Sequence, residues 1–413
     1  MRGIETMKYD ILLKNGHVID PASETDTVMD VAVKDGKIAA VAAGLNEAEA
    51  AKVIDMTGLY VTPGLVDNHV HCYFSGTNAK SWAGDFSLQP DYFNFPGGVT
   101  TIVDAGSAGS YNFDHFRATV IERCKTKVFA VLNTANYGMA SLEAEQFPEK
   151  NDAEAYLRCY EKNRDVLCGI KIAHYWGKDW KQLEGAQKLQ EKLDAPIMVD
   201  FGNFLPERPY DELVSVRLRP GDITTHCFRA PVPVVDENGK VYDYLWKAKE
   251  RGIWFDLGHG CESFVLRSAV PAMRQGFIPD CFSSDLHALD VNSTLVNMAN
   301  LLSKMLACCE MPLIELFRRV TSNPAKMLKL PGVGNLNVGA DADIAVWNLR
   351  DGDFRFRDGN GSIMGKHRLE CEMTFRAGEI VWDFNARAFP QSYDELTSDY
   401  GVKLPDVRVT PKY

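Results

Sequence analysis

Two histidines separated by a single residue, His69 and His71, lie in the run Val66-Asp67-Asn68-His69-Val70-His71. Residues i and i+2 of an extended strand point to the same side, so both imidazoles reach one metal ion. Further groups of ligand or proton-transfer type recur along the chain. Lys171 sits in the apolar stretch Gly169-Ile170-Lys171-Ile172, Asp200 follows Pro196-Ile197-Met198-Val199, and His226 follows Thr224-Thr225. Asp256 and His259 form a further pair, and Asp285 and His287 another. Imidazoles, carboxylates and a buried amine are the groups that metal-assisted hydrolysis requires. Taken singly, each has a plainer reading: H-x-H is common by chance, a lysine in an apolar strand snorkels at an edge, and a strand-end Asp or His caps the next helix. The spacing decides, because each of these groups stands at or near the end of a different apolar run.

Eight such runs are expected as parallel strands, at residues 60–71, 99–105, 127–133, 167–173, 195–201, 223–228, 253–258 and 280–285. Helical patterns lie between them, as over 152–163, 180–193 and 263–275. The mean interval from His69 to Asp285 is about 31 residues, enough for a strand, a helix and two loops. The expected fold is therefore α/β, a (β/α)8 TIM-type barrel, with its reactive groups at the C-terminal ends of the strands. A doubly wound sheet is disfavoured, since neither Gly97-Gly98 nor the glycines at 106–109 match a dinucleotide-binding fingerprint. Near the start, Asn15-Gly16 and Asp35-Gly36 read as hairpin turns between short strands. A similar texture returns at 343–347 and 373–382. A small β-sandwich built from residues 1–60 and 337–390 is expected to enclose a barrel of residues 61–336, with helices at 291–309, 312–319 and 321–328 leading back to it. Residues 391–413 are expected as a C-terminal extension.

The 413 residues suit a barrel plus a small domain, and 45 Lys+Arg against 56 Asp+Glu leave a net charge of −11. No basic face dominates, so nucleic acid is not expected as a partner. No apolar run approaches the roughly 20 residues of a bilayer span, and residues 1–7 lack a signal-peptide core. A cytoplasmic protein without a membrane partner is the expectation. The ten cysteines include no C-x-x-C pair, which fits reduced, buried thiols.

The stretch Val61-Thr62-Pro63-Gly64-Leu65-Val66-Asp67-Asn68-His69-Val70-His71 resembles the first-strand signature of the amidohydrolase superfamily. The segments 219–228, 255–260 and 276–287 are similar to one branch of it, the amidohydrolase/deacetylase family of metallohydrolases, whose members have often been labelled dihydroorotase or adenine deaminase. The resemblance covers about residues 8–390. It implies two metal ions. His69, His71 and Asp285 would hold the first, a carboxylated Lys171 would bridge to the second, and His226 would complete the second site. A lysine in apolar surroundings has a lowered pKa and stays neutral enough to take up CO2, which agrees with that role. Zn2+ is the expected ion, two per chain, with Mn2+ or Fe2+ as alternatives.

Two departures from the family pattern bear on the substrate. Asp200 stands where the pattern has a histidine ligand, and Ala173, followed by His174-Tyr175-Trp176, stands where an arginine is expected. A carboxylate binds Zn2+, Mn2+ or Fe2+, so the second site survives with a harder ligand or is weak or absent; Lys171 and His226 favour its retention. Arg229, three residues past His226, supplies a cation for Asp200 or for a substrate carboxylate. The expected reaction is hydrolysis of an amide or ester of a small molecule, of the N-acyl amino acid or acylated hydroxy acid type, with Asp285 as general base. His259, His287, Arg229, Tyr137 and Asn133 are the candidate substrate-binding residues, and Tyr175 and Trp176 are candidate pocket aromatics. Cyclic amide hydrolysis or base deamination is the alternative, and a metal-free scaffold the third reading. A homo-oligomer is expected.

Overall fold

Strands buried on both faces, rich in β-branched residues and separated by long crossovers, must lie in a parallel sheet covered by helices. The computed structural model, which describes residues 7–74, 83–291 and 293–389, shows seven of them in sequence order. They are β6 (Leu65–Val70), β7 (Val99–Asp104), β8 (Lys127–Asn133), β9 (Leu167–Ala173), β10 (Ile197–Asp200), β11 (Ile223–Thr224) and β12 (Trp254–Phe255), all parallel to their neighbours. Residues 280–286 close the ring. Leu257 N–H donates to Cys281 O at 3.0 Å on one side and His71 N–H to Leu286 O at 3.0 Å on the other, and parallel bridges join Asp256 to Cys281 and Val70 to Leu286. The result is the expected TIM-type barrel. Its last strands are shorter than the apolar runs, because His226 (φ 55°) and Asp285 (φ 52°) turn the backbone into the left-handed region where the ladders end.

Helices on the outside fall within two or three residues of their expected spans, at Ala153–Lys162, Lys181–Leu193 and Leu266–Arg274. The expected helix over 291–309 is shorter, Met298–Cys308, and starts where the Asn297 side chain accepts the Asn300 N–H. Inside the barrel, Val66, Val103, Val131, Met198 and Ile223 pack against Met327, Leu328 and Leu330, which plug the end opposite the strand C-termini.

Both chain ends contribute to one further mixed sheet of eight strands. From the N-terminal part come β1 (Tyr9–Asp20), β2 (Thr25–Lys34), β3 (Lys37–Ala42), β4 (Ala50–Asp55) and β5 (Tyr60–Pro63); from the C-terminal part come β13 (Ile344–Arg357), β14 (Ser362–Arg376) and β15 (Glu379–Asp383). The strand order is β15-β14-β13-β5-β1-β2-β3, with β4 also paired to β1. Asp35-Gly36 makes the expected hairpin between β2 and β3. Asn15-Gly16 does not: it is a bulge inside the single strand β1, with Asn15 at φ 60°. The extra residue lets β1 pair with β4 before the bulge and with β5 after it. The expected first barrel run of 60–71 is likewise two strands, β5 in the mixed sheet and β6 in the barrel. They meet at Gly64, where a Cβ would lie 2.3 Å from Thr100 Oγ1. The expected extension 391–413 lies outside the described residues.

Trp347 of β13 docks the mixed sheet onto the barrel. Fully buried, it donates Nε1–H to Thr62 Oγ1 at 3.0 Å, packs tilted against Phe317, and covers Gly98, where any Cβ would sit 2.5 Å from its ring. Asp341 adds an electrostatic tie, accepting from Lys37 Nζ at 2.6 Å and from Lys127 Nζ of β8 at 2.9 Å. Partial burial raises its pKa, but the two ammonium groups outweigh this and hold it at about 2.

Two stability predictions follow from these ties. Trp347→Ala removes a buried aromatic and its hydrogen bond and is expected to cost about 3–5 kcal/mol, read as a lowered urea midpoint. Because the Asp341 pKa is depressed in the folded state, its contribution is present above its unfolded value near 4 and is lost as pH falls toward 2. Wild type should exceed Asp341→Asn by about 2 kcal/mol near neutral pH, and the gap should close toward pH 2; a pH-independent gap contradicts the assignment.

Candidate functional site

The C-terminal ends of the strands bring six of the sequence-derived residues together. His69 and His71 leave β6 with their Nε2 atoms 3.4 and 3.2 Å from the same oxygen, Asp285 Oδ1. Their ligating atoms and the carboxylate all lie within 4.8 Å of one another. The other ring nitrogens are engaged elsewhere: His69 Nδ1 lies 2.9 Å from Thr225 Oγ1, and His71 Nδ1 lies 2.8 Å from Ser107 Oγ. His226 donates Nδ1–H to Gly258 O at 2.6 Å and turns Nε2 toward Asp200 Oδ2 at 3.1 Å and Asp285 Oδ2 at 4.0 Å. Imidazoles oriented by one nitrogen, with the other facing a common carboxylate, have the arrangement of metal ligands. The donor set therefore fits a divalent cation.

Lys171, at the centre of β9, is completely buried, with Nζ 3.5 Å from His69 Nε2 and 3.8 Å from Met198 Sδ. Among the described residues it makes no ion pair. Burial lowers its pKa, against the pull of Asp200 and Asp285, and burial followed by Lys171 lowers that of His69 to about 3. Burial raises the carboxyl of Asp285, but His69, His71 and His287 outweigh it and hold the group well below its ordinary value.

Asp200 is a buried carboxylate with its two oxygens differently engaged. Oδ1 accepts from Arg229 Nη1 at 2.9 Å and from Gly202 N–H at 3.0 Å, while Oδ2 faces His226. The desolvation cost is outweighed by Arg229 and His226, which hold its pKa well below the ordinary carboxylate value. Arg229 is itself fixed by donating Nε–H to Ser263 Oγ at 3.1 Å. These groups line a cavity of about 320 Å3 that also includes His71, His174, Cys261 and His287.

Three of the expected substrate-facing residues lie away from that cavity. His259 is buried behind it, donating Nδ1–H to Gly260 O and accepting at Nε2 from Lys304 Nζ at 2.7 Å. Asn133 is used up by the loops after β7 and β8, bonding Gly106 O, Glu145 Oε1 and Ala135 N–H. Tyr137 is exposed and packs edge-on against Tyr111 on the rim. Tyr175 is buried against Phe201, and Trp176 is exposed.

Sequence reasoning missed Glu145 and passed over His174. Glu145 is buried in a short turn after β8 and lies 3.0 Å from His174 Nδ1; His174 Nε2 points toward Asp200 at 3.8 Å. Nothing marks Glu145 among its neighbours Glu143 and Glu149, whereas His174 stands one residue past the end of β9 and was detectable by position.

Arg229→Leu leaves the Asp200 carboxylate buried without its guanidinium. It is expected to destabilise the protein by about 3 kcal/mol, the lower end for a broken buried pair because the cavity admits some solvent. Equal thermal stability of variant and wild type contradicts a structural role for the pair.

The chain is similar to several known proteins. A model described as the amidohydrolase family matches residues 243–382. A deacetylase of Brucella anthropi is 34% identical over 84% of this chain and 85% of its own length. Among solved structures, an adenine deaminase superposes with TM-score 0.81 at 29% identity, covering 91% of this chain and 100% of that one. A dihydroorotase superposes with TM-score 0.77 at 31% identity, covering 90% and 99%. With the barrel, the convergent histidines and identity of this extent over most of both chains, the protein belongs to the amidohydrolase family and is a hydrolase.

Proposed function

We propose that this hydrolase cleaves an amide or ester bond of a small molecule of the N-acyl amino acid or acylated hydroxy acid type. The observation that carries the reading is the convergence of the His69 and His71 Nε2 atoms on Asp285 Oδ1, with both Nδ1 atoms held by hydroxyls. His69, His71 and Asp285 would hold one divalent ion, and Lys171, Asp200 and His226 a second, with Zn2+ the best match to the mixed N and O donors and Mn2+ or Fe2+ as alternatives. When bound, such ions lower the pKa of water and polarise a carbonyl.

The chain's own residues supply the rest. Asp285, ionised and surrounded by imidazoles, accepts a proton from the attacking water at a carboxylate oxygen and returns it to the leaving nitrogen or oxygen. His287 and Arg229 face the cavity and orient the substrate, Arg229 through the guanidinium hydrogens that Asp200 and Ser263 do not take. Lys171 makes no ion pair among the described residues, and burial lowers its pKa, so it is suited to carboxylation, and the added negative charge would suit two cations. The deacetylase relative supports acyl hydrolysis. Cyclic amide hydrolysis or deamination is a second reading, favoured by the similarity to the solved adenine deaminase and dihydroorotase. The same reading divides the chain into a β domain, 1–60 with 337–390, and a barrel, 61–336. The separate apolar clusters around Leu13, Val31 and Phe375 and around Leu12 and Ala32 support a sandwich-like β domain.

The deciding experiment is metal analysis of purified protein, combined with native mass measurement for CO2 on Lys171 and a screen of N-acyl amino acids, acyl esters and cyclic amides. Two ions per chain and acyl hydrolysis are expected. One ion removes the second site, and none, with activity unrestored by Zn2+ or Mn2+, overturns the reading. Asp285→Asn should lower kcat by at least about 10²–10⁴-fold with the fold intact by circular dichroism. Unchanged turnover removes Asp285 from its role.

A further inference from the structure

Beside the centre just described, three side chains of metal-binding type meet without sharing any of its residues. Cys261, His287 and Asp290 each offer one ligand atom, and these atoms lie within 4.8 Å of one another. Asp290 is fully buried. Its Oδ2 lies 2.8 Å from His287 Nδ1 and accepts the His287 main-chain N–H at 3.2 Å, while Oδ1 has no hydrogen-bond partner among the described residues. A buried carboxylate oxygen without a partner is costly unless a cation or donor serves it. Cys261 is partly exposed and, with His287, forms part of the wall of the 320 Å3 cavity, whereas Asp290 stands behind that wall.

The Cys261 main chain is well anchored: its carbonyl accepts from Thr294 Oγ1 at 3.2 Å, and the tip of the β13–β14 hairpin reaches the same place, where a Cβ on Gly359 would come 3.6 Å from that carbonyl. The hairpin tip also fixes the next turn, since Asp358 Oδ2 accepts the Leu266 N–H at 2.7 Å. The thiol is thus presented from a braced loop.

We infer that Cys261, His287 and Asp290 form an additional, inhibitory site for a zinc-like cation on the wall of the substrate cavity. A thiolate, an imidazole and a carboxylate are the donors of tetrahedral Zn2+ sites and discriminate against Mg2+ and Ca2+, which prefer oxygen. Three protein ligands leave a fourth position. His287 Nδ1 lies only 3.9 Å from Asp285 Oδ1, so an ion here stands next to the reacting groups and competes with substrate for the same space. This site is independent of which acyl substrate the enzyme takes.

The test uses holoenzyme of known metal content. Added Co2+ should produce a thiolate-to-cobalt charge-transfer band in the near ultraviolet, saturating at one further equivalent, and Cys261→Ser should abolish it. Added Zn2+ should raise KM for any substrate the enzyme turns over. In Cys261→Ser, compared with its own zinc-free rate, the inhibition constant should rise by at least the roughly 10–100-fold that even an outer hydrogen-bond partner contributes to metal affinity. Absence of the band, or its persistence in Cys261→Ser, overturns the proposal without touching the hydrolytic reading, since neither outcome depends on turnover. Zinc inhibition of equal strength in variant and wild type overturns it as well.

Discussion

Asp256 is a completely buried carboxylate on which four strand ends depend. It accepts from Asn68 Nδ2 at 2.8 Å, from Thr225 Oγ1 at 2.7 Å and from Ser283 Oγ at 2.8 Å, and lies 3.5 Å from His69 Nδ1. Those partners come from the end of β6, from just past β11 and from the closing segment 280–286, while Asp256 itself follows β12. An ionised carboxylate at zero exposure is tolerated only where donors replace its lost hydration. Burial pushes the group up, and the bond to His69, with those to Asn68 and Thr225, brings it below its ordinary value. The barrel must therefore close with these strands in register, and closing in that register also places His69, whose ring is held by Thr225. A neighbouring carboxylate repeats the device: Asp67 accepts from Ser284 N–H at 3.0 Å and from Ser284 Oγ, fastening the first strand to the last segment. Structural and reactive polar groups at this end of the barrel are one connected set.

That connection explains which site residues could be read in the sequence. His69, His71, Lys171, Asp200, His226 and Asp285 converge because strand periodicity places them at one end of the barrel, and periodicity is legible in the amino-acid order. The residues that lie away from the cavity are held by contacts with loops or with distant helices. Asn133 closes the first turn after β8, and His259 is turned inward by Lys304, which comes from a helix 45 residues later. No local pattern announces either pairing. Glu145 lies on a turn flanked by exposed acids, and its contacts with Asn133 and His174 in the folded chain distinguish it. The Asn15-Gly16 bulge has the same origin. A turn dipeptide specifies a conformation with φ above zero, and the neighbouring strands decide whether the chain reverses there or continues.

The mixed sheet contributes to the site at a distance. β13 and β14 are long because they carry two tasks: near the sheet, Trp347 seals the barrel side by covering Gly98, and at the far end Asp358 holds the loop of Cys261 and Ser263. Ser263 in turn accepts from Arg229, which faces Asp200. A continuous chain of contacts therefore runs from the hairpin tip to the cavity floor. Its existence needs only packing and hydrogen bonds, and it gives the pieces contributed by the two chain ends a part in shaping the cavity.

The change at position 200 is best understood through charge. A neutral imidazole and an aspartate bound to arginine carry the same formal charge, zero, so the Asp200–Arg229 pair leaves the electrostatic balance of a metal centre where a histidine would leave it. The donor differs. Oδ1 is committed to Arg229 and Gly202, and the remaining Oδ2 presents a single hard oxygen beside the His226 nitrogen. In the proposed centre, the first site keeps two nitrogens and one oxygen while the second becomes richer in oxygen, which shifts its preference toward Mn2+ or Fe2+ relative to an all-histidine arrangement. The arginine that restores neutrality also projects beside the cavity, so one substitution sets the hardness of the second site and the placement of the cation available to a substrate carboxylate. His174, held by Glu145, fills the adjoining wall, where the resemblance leads one to expect an arginine two residues past Lys171. The positive group beside this cavity therefore comes from the loop after β11 rather than from the end of β9.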